Sequence, residues 1–299
     1  MEMRRAKIED LKGLKEVWKL SFGDEDSFID LYFQSRDWLN ETAVLLLDGR
    51  IVTMLTMMPV DMVGETGESC KASMLYAIAT HPDFQKRGFA ALLIDYSNQY
   101  LLSQQVPVTL LVPAGEELFR FYAKCGYRDG FFVREAVLNR NEIETLAGRA
   151  LLDCNITSIE PSGYNRIRRK LLKGHSYLDY RDDEVSFEKQ LGRIYDADLF
   201  AIEIDGAEGC AYFERISPEQ VIIKELLVPE KYLAAALMQI SALIPSEKYI
   251  VRTPPHSGEI LGGEVRHFGM VRINGADSKH SIIDPCTVSA DSYLGIAYD

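Results

Sequence analysis

The segment from Ser69 to Val112 constrains the fold more than any other part of the 299-residue chain. It contains an apolar strand at about Ser69–Thr80, a loop at His81–Arg87 and a helix from Gly88 to about Ser103. The nearly continuous apolar run Val106–Val112 that follows is typical of a strand covered on both faces. A strand, a helix and a second strand in this order predict a parallel pair with a right-handed crossover. The chain is therefore expected to fold as α/β, with helices flanking a mixed sheet.

The rest of the first half alternates helical and strand patterns. Apolar residues at helical spacing form the expected buried stripe of the helix after Gly88, namely Phe89, Leu92, Leu93, Tyr96 and Tyr100. The other predicted elements are a strand Met3–Lys7, helices Ile8–Phe22 and Ser27–Trp38, strands Ala43–Leu47 and Ile51–Met58 around the hairpin turn Asp48-Gly49, a helix Glu116–Cys125 and a strand Gly130–Leu138.

The second half repeats this order of elements. Its predicted strands are Asp198–Asp205, Gly209–Ile216, Gln220–Val228 and Tyr249–Arg252, with a helix Glu230–Leu243 before the last. A duplicated unit explains the repetition, and two unrelated α/β halves are the alternative. The polar stretch at 139–142 and the turn residues at 160–163 bracket the boundary, which predicts domains at 1–145 and 146–299.

Composition excludes several classes of protein. The net charge is −12 and both halves are acidic, which disfavours nucleic-acid binding and favours cationic partners or simply solubility. No stretch reaches the roughly 18 apolar residues of a membrane helix, and the charged N-terminus is unlike a signal peptide, so a cytoplasmic protein is expected. Five scattered cysteines (Cys70, Cys125, Cys154, Cys210 and Cys286) without a C-x-x-C pair argue against disulfides and zinc, and no metal is expected.

The loop Gln85-Lys86-Arg87-Gly88-Phe89-Ala90 carries the chemistry. It lies between a strand and the first turn of a helix, where unpaired backbone N–H groups bind anions such as a pyrophosphate. Gly88 lets the backbone approach a phosphate without a Cβ in the way. Lys86 and Arg87 add positive charge to an otherwise acidic chain. The spacing matches neither the P-loop nor the dinucleotide-binding pattern.

In this context the loop resembles the [Q/R]-x-x-G-x-[G/A] acyl-CoA loop of the GCN5-related N-acetyltransferases, the GNAT superfamily. The preceding Tyr76-Ala77-Ile78-Ala79-Thr80-His81-Pro82 is similar to the end of that family's central strand. The downstream segment from Leu118 to Tyr127, LFRFYAKCGY, is similar to the family's "lYekxGF" segment. The strand order of residues 1–138 also agrees with the family.

The resemblance implies specific roles for these residues. The backbone of Ile78, Ala79 and Thr80 would hydrogen-bond the pantetheine arm of acetyl-CoA in a gap beside the strand Val106–Val112. The amides of Gln85 to Ala90 would hold the pyrophosphate. Tyr122 stands at the family's tyrosine position, where a phenol protonates the departing thiolate. A core aromatic between Phe119 and Tyr127 is the structural alternative for Tyr122.

The second half departs from this pattern. Its equivalent of the phosphate loop is Val228-Pro229-Glu230-Lys231-Tyr232-Leu233, which lacks glycine and places Glu230 where an anion would bind. This copy is therefore interpreted as degenerate and structural. An active domain followed by an inactive one resembles the Eis-type acetyltransferases, although the chain is too short for their third, sterol-carrier-like domain. Gly269–Ile273 resembles the strand that leads into that domain.

The base is less clearly indicated than the acid. The acidic run Asp24-Glu25-Asp26 lies where the family places its acceptor loop, and it could take a proton, attract a cation or be a solvated loop. His81 is interpreted as a capping residue and Cys125 as a packing residue.

Together these observations predict an acetyl-CoA-dependent N-acetyltransferase that acts by direct attack in a ternary complex. The predicted acceptor is a small-molecule or peptide primary amine, with no nucleic-acid or membrane partner, and homo-oligomerisation is left open. The alternative is a non-catalytic acyl-CoA-binding or interaction protein that kept the loop.

Overall fold

The computed structural model describes residues 1–148, 152–195, 197–275, 288–289 and 291–297. The strands in these ranges are β1 Glu2–Arg5, β2 Thr42–Leu47, β3 Arg50–Val63, β4 Ser69–Thr80, β5 Val108–Leu111, β6 Arg128–Asn139, β7 Cys154–Ser158, β8 Tyr177–Asp179, β9 Asp198–Ile204, β10 Ala207–Ser217, β11 Gln220–Leu227, β12 Lys248–Thr253 and β13 Glu264–Ile273. The α-helices are α1 Leu11–Phe22, α2 Asp26–Ser35, α3 Trp38–Glu41, α4 Phe89–Ser103, α5 Glu116–Lys124, α6 Arg140–Ala147, α7 Pro161–Leu171, α8 Asp182–Tyr195 and α9 Leu233–Leu243.

The described strands form one mixed sheet flanked by helices. Its order is β1-β2-β3-β4-β5-β13-β6-β12-β11-β10-β9-β7, and β8 pairs separately with β3. The pairs β4–β5 and β11–β12 are parallel and are joined through α4 and α9, respectively. A three-strand antiparallel meander precedes each parallel pair, namely β2-β3-β4 and β9-β10-β11. The α/β class and the predicted strand–helix–strand units are confirmed, and both halves contain the unit.

The sheet continues from one half of the chain into the other. β6 pairs with β12, and β13 lies between β5 and β6, so a strand near residue 270 completes the sheet of the first half. Gly130 makes this insertion sterically feasible, because a Cβ there would lie 2.5 Å from a methyl carbon of Val271. The last predicted strand of the first half, β6, therefore does not pair directly with β5. The pairing of β13 depends on contacts between residues that are distant in sequence.

Two local predictions are also corrected. The buried face of α4 includes Leu93 as expected, but Leu92 is 41% exposed and Asn98 is fully buried. Asn98 lies inside because its side-chain oxygen accepts a hydrogen bond from Thr109 at 2.8 Å, which an apolar pattern does not reveal. Pro161 begins helix α7 rather than a turn, as proline fits the first helical position, where no amide hydrogen bond is lost.

The hairpin turn between β2 and β3 agrees with the sequence. Asp48 and Gly49 have φ values of 49° and 81°, the left-handed pair that a tight hairpin turn needs. Cys70, Cys125, Cys154 and Cys210 are free thiols, and Cys286 lies outside the described residues. None of the described helices is long and apolar enough to cross a membrane.

A buried charged cluster joins helices of the two halves. Arg36, at the end of α2, donates to Glu41 at 2.9 Å and also lies 3.8 Å from the carboxylate of Glu184 on α8. The backbone amide of Arg181 donates to Glu184 at 3.0 Å. Burial raises the pKa of Glu184 to about 7, although Arg181 and Arg36 favour its ionised form. Ionised Glu184 is therefore less stable in the folded protein than in the unfolded chain.

We expect the substitution Glu184→Gln to stabilise the protein increasingly as pH rises. Between its ordinary pKa and about 7, folded Glu184 holds a proton that the unfolded chain releases, so its contribution to stability is present at low pH and lost as pH rises through 7. Glutamine stays neutral throughout. Relative to wild type, the free energy of unfolding of the variant, measured with urea, should rise by about 2 kcal/mol between about pH 5 and pH 8. A difference that does not depend on pH would contradict the raised pKa.

Candidate active site

A gap opens in the sheet between β4 and β5. These strands pair only from Ala72 to Met74, whereas β4 continues to pair with β3 as far as Thr80. A β-bulge interrupts the β3–β4 pairing, and within it Ala77 has a φ of 48°. The edge of β4 beyond Met74 therefore faces the gap with no strand partner among the described residues. The predicted residues Ile78, Ala79 and Thr80 lie on this edge, where an extended ligand could pair as an added strand.

The loop after β4 reaches the N-terminus of α4. His81 caps the short 3₁₀ turn Pro82–Phe84, as its Nδ1 accepts from the Asp83 amide at 3.3 Å, and this confirms its predicted capping role. The Gln85 amide group donates to the Thr80 carbonyl at 3.2 Å, which ties the loop to the end of β4. Arg87 donates to the Asp83 carbonyl at 3.1 Å.

The first turn of α4 is open to solvent. Gly88 is its N-cap with a φ of 80°, no side chain caps the helix, and nothing described lies within 4 Å of the position of a Cβ. Lys86 also has a left-handed φ of 61°, so the chain turns sharply just before the helix. Gln85, Lys86 and Arg87 are exposed, while Phe89 and Ala90 are half-buried. This geometry leaves backbone N–H groups available for an anion at the mouth of the gap.

The gap leads into a cavity of about 650 Å³. Its first wall comes from the N-terminal half, and includes Trp18, Phe22, Asp24, Phe28, Met74, Leu75, Tyr76, Ala77, Ile78, Leu111, Val112, Ala114, Leu118 and Tyr122. Its second wall comes from the C-terminal half, and consists of Glu188, Leu191, Tyr212, Glu214, Arg215, Ile216 and Lys224. The cavity is therefore enclosed by both halves of the chain.

Tyr122 of α5 is one of the residues that line this cavity. Its ring packs against Phe121 and Tyr127, with centroids 5.1 and 6.2 Å away. Among the described residues, none forms a hydrogen bond with its hydroxyl, whereas the Tyr127 hydroxyl contacts the Thr109 hydroxyl at 3.0 Å. Burial raises the pKa of Tyr122, with smaller contributions from Tyr127 and Cys125. The phenol is therefore protonated at neutral pH and can donate a proton to a group in the cavity.

The three predicted acidic residues lie in different environments. Asp24 lines the cavity and accepts a hydrogen bond from the Trp18 indole at 2.7 Å. Asp26 is exposed and forms an ion pair with Lys19 at 2.7 Å. Glu25 is exposed at the N-cap of α2. Only Asp24 of the three lines the cavity.

None of the residues of the second wall was predicted from the sequence as part of the site. Lys224 of β11 is buried and lies 3.0 Å from Glu214 of β10, and Tyr212 donates to Glu214 at 3.3 Å. Glu188 of α8 is 2% exposed and hydrogen-bonds the Tyr212 side chain. One sequence signal was available: Lys224 and Glu225 interrupt the apolar run VIIKELL, where buried charges require partners.

The corresponding loop of the second half is closed by its own side chain. β11 and β12 pair only as far as Ile223 and Val251 and then separate, as β4 and β5 do. The Glu230 carboxylate accepts from the Ser257 hydroxyl at 2.7 Å and from the Gly258 amide at 2.9 Å. A carboxylate thus bridges this second opening and uses a backbone amide that an anion could otherwise contact.

The described part of the chain holds no metal-binding group of clustered side chains. No three His, Cys, Asp or Glu side chains come together there as a metal-binding group. Burial raises the pKa of the half-buried Cys125 thiol.

Comparison with known proteins finds a matching family model and solved structures of similar fold. Residues 2–129 match the family model described as an acetyltransferase (GNAT) domain, and no curated protein sequence matches the chain. Among solved structures, a GCN5-related N-acetyltransferase from Anabaena variabilis has a TM-score of 0.72 at 17% identity, over 91% of this chain and 72% of that one.

Two further solved structures bear on the arrangement of the halves. Eis1 from Mycobacterium abscessus has a TM-score of 0.67 at 11% identity, over 91% of this chain and 74% of that one. A tandem GNAT protein from the clavulanic acid biosynthesis pathway has a TM-score of 0.54 at 12% identity, over 93% of this chain and all of that one. At such identities the likeness concerns the fold, and it includes proteins built from two such units.

Proposed function

We propose, on the premise that residues 2–129 carry an acetyltransferase domain of the GNAT superfamily, that the protein transfers the acetyl group of acetyl-CoA to a primary amine. One observation carries the proposal. The unpaired edge of β4 runs from the open N-terminus of α4 to a cavity that Tyr122 lines. An anion site, an extended groove and a proton donor thus follow one another along a single path.

Acetyl-CoA fits this path chemically. The backbone amides between Gln85 and Ala90 would hold the pyrophosphate, with Lys86 and Arg87 adding positive charge. The edge of Ile78, Ala79 and Thr80 would hydrogen-bond the amide groups of the pantetheine arm. The thioester would then lie inside the cavity, near Tyr122.

The reaction is a direct transfer in a ternary complex. The acceptor ammonium first loses a proton, for which Asp24 is the candidate acceptor on the first wall. The amine lone pair attacks the thioester carbonyl, a C–N bond forms, the C–S bond breaks, and the nitrogen, positively charged after the attack, releases its second proton to solvent. Tyr122 donates its proton to the departing thiolate and regains one from solvent. Alignment of the amine and thioester within the cavity supplies much of the rate.

The function is tested by coenzyme A release from acetyl-CoA in the presence of polyamines, aminoglycosides and peptide lysines. Release that depends on the amine supports acetyl transfer. Tight binding of acetyl-CoA without release for any amine would instead support the non-catalytic acyl-CoA-binding alternative.

We expect one acetyl-CoA per chain. The opening between β11 and β12 is bridged by Glu230, and its negative charge opposes a pyrophosphate. Calorimetric titration of the wild-type protein should give a stoichiometry of one, and the substitution Glu230→Gln should leave it at one, as the bridge can form without the charge. A stoichiometry of two would show that the second half is a working cofactor site.

A further inference from the structure

The cavity is lined by an aromatic cluster that the proposed function does not explain. The side chains are Trp18, Phe22, Phe28, Tyr76, Tyr122 and Tyr212. The Trp18 ring lies 5.8 Å from Phe22, 6.2 Å from Phe28 and 5.9 Å from Tyr76. Several aliphatic side chains complete the walls, including Leu118 and Leu191. Covering an apolar ligand with a surface of this kind is favourable, because apolar area is removed from water. The same surface offers few hydrogen-bond partners to a polyhydroxylated ligand.

The charged groups of the cavity favour a cation. Three carboxylates line it, those of Asp24, Glu188 and Glu214. The two basic residues are Lys224, which lies beside Glu214, and Arg215, which donates to the backbone carbonyls of Pro218 and Pro245. The lining thus has an excess of negative charge.

Carboxylates of both walls lie beside the aromatic rings. Asp24 is hydrogen-bonded to the indole of Trp18. Glu188 is hydrogen-bonded to the phenol of Tyr212, and its neighbour Phe187 packs against Phe28 with ring centroids 6.5 Å apart. An ammonium in this cavity can therefore meet carboxylates and aromatic faces together, and both kinds of contact stabilise a cation.

We infer that the acceptor is a primary amine carried on an apolar, aromatic body, and that Glu188 of the second half is a specificity-determining residue for its ammonium group. This inference rests on the proposed function and narrows it to an arylalkylamine class of acceptor. The second half, interpreted from the sequence as structural, thereby forms part of the acceptor site.

The first test compares amines with the wild-type protein. The kcat/KM for 2-phenylethylamine should exceed that for ethylamine, spermidine and kanamycin by at least about tenfold, because binding removes the apolar surface of the phenyl ring from water. 2-Phenylethanol, which lacks the charge, should inhibit weakly. Equal or higher kcat/KM for ethylamine or kanamycin would overturn the inference while leaving the acetyltransferase function intact.

The second test concerns Glu188. The substitution Glu188→Gln keeps the shape and the hydrogen bond to Tyr212 but removes the charge, so KM for 2-phenylethylamine should rise about 10- to 100-fold with little change in kcat. Glu203→Gln, on the exposed face of β9, removes the same charge outside the cavity and should change neither value. An unchanged KM in folded Glu188→Gln would remove Glu188 from the acceptor site.

Binding measurements separate the two proposals. Calorimetry with acetyl-CoA alone reports on the cofactor path, and calorimetry with 2-phenylethylamine reports on the acceptor cavity without turnover. Absence of acetyl-CoA binding would refute the proposed function. Binding of 2-phenylethylamine that Glu188→Gln weakens would still show that the cavity and Glu188 recognise an aromatic amine, although such an amine would then not be an acetyl acceptor. If the protein acetylates other amines but does not bind 2-phenylethylamine, the acceptor class is refuted and the proposed function stands.

Discussion

Phenylalanine in place of Tyr122 is expected to lower kcat by a factor of about 10² to 10⁴, with the affinity for acetyl-CoA nearly unchanged. The substitution keeps the ring that packs against Phe121 and Tyr127 and removes only the hydroxyl. Pre-steady-state transfer should be measured together with steady-state turnover, because slow product release would hide a defect in the chemical step.

Tyr127→Phe is the matched control for this prediction. The Tyr127 hydroxyl is buried outside the cavity and contacts Thr109 at 3.0 Å and Asn98 at 3.2 Å. Its loss should cost about 1 kcal/mol of stability and leave turnover close to normal. Full activity of Tyr122→Phe by both kinetic measures would assign Tyr122 a packing role and leave the acid unidentified.

Valine in place of Gly88 is expected to weaken acetyl-CoA binding at least tenfold, or about 1.4 kcal/mol. The residue caps α4 with a φ of 80°, a conformation that a β-branched side chain adopts only with strain. Its Cβ would also extend into the open space where a pyrophosphate is proposed to bind. Calorimetry on the folded variant measures the effect.

The control variant Gly67→Val distinguishes the effect of backbone strain from the effect of a side chain at the proposed anion site. Gly67 also has a left-handed φ, 92°, and open space around it, but it lies in the exposed turn between β3 and β4. This variant should lose stability and keep its affinity for acetyl-CoA. If folded Gly88→Val binds acetyl-CoA as tightly as wild type, the anion site does not lie at this loop.

The elements of the proposed cofactor path were predicted from the sequence because they are close together in the chain. The strand ending at Thr80, the loop through Gly88 and helix α4 are consecutive, so turn chemistry and apolar periodicity define them locally. The separation of β4 from β5 agrees with the predicted gap beside Val106–Val112. The roles of Tyr122 and of the loop amides stay predictions until the experiments above are made.

The second wall of the cavity could not be predicted from the sequence, because its residues come together with the first wall only through tertiary packing. Nothing near Glu188 or Tyr212 in the sequence indicates that both face a cavity built on Trp18. Helices α7 and α8 were not predicted either, and α7 begins at a proline that reads equally well as a turn.

The sequence by itself determined the α/β class, the two similar strand–helix–strand units and the loop at the N-terminus of α4. These features follow from side-chain periodicity and backbone preferences, which act over a few residues. The tertiary structure alone decided that β13 fills the sheet of the first half, that Glu230 bridges the second opening, and that both halves enclose one cavity. Those outcomes depend on which apolar faces and buried charges meet across hundreds of residues, and no local pattern encodes that choice.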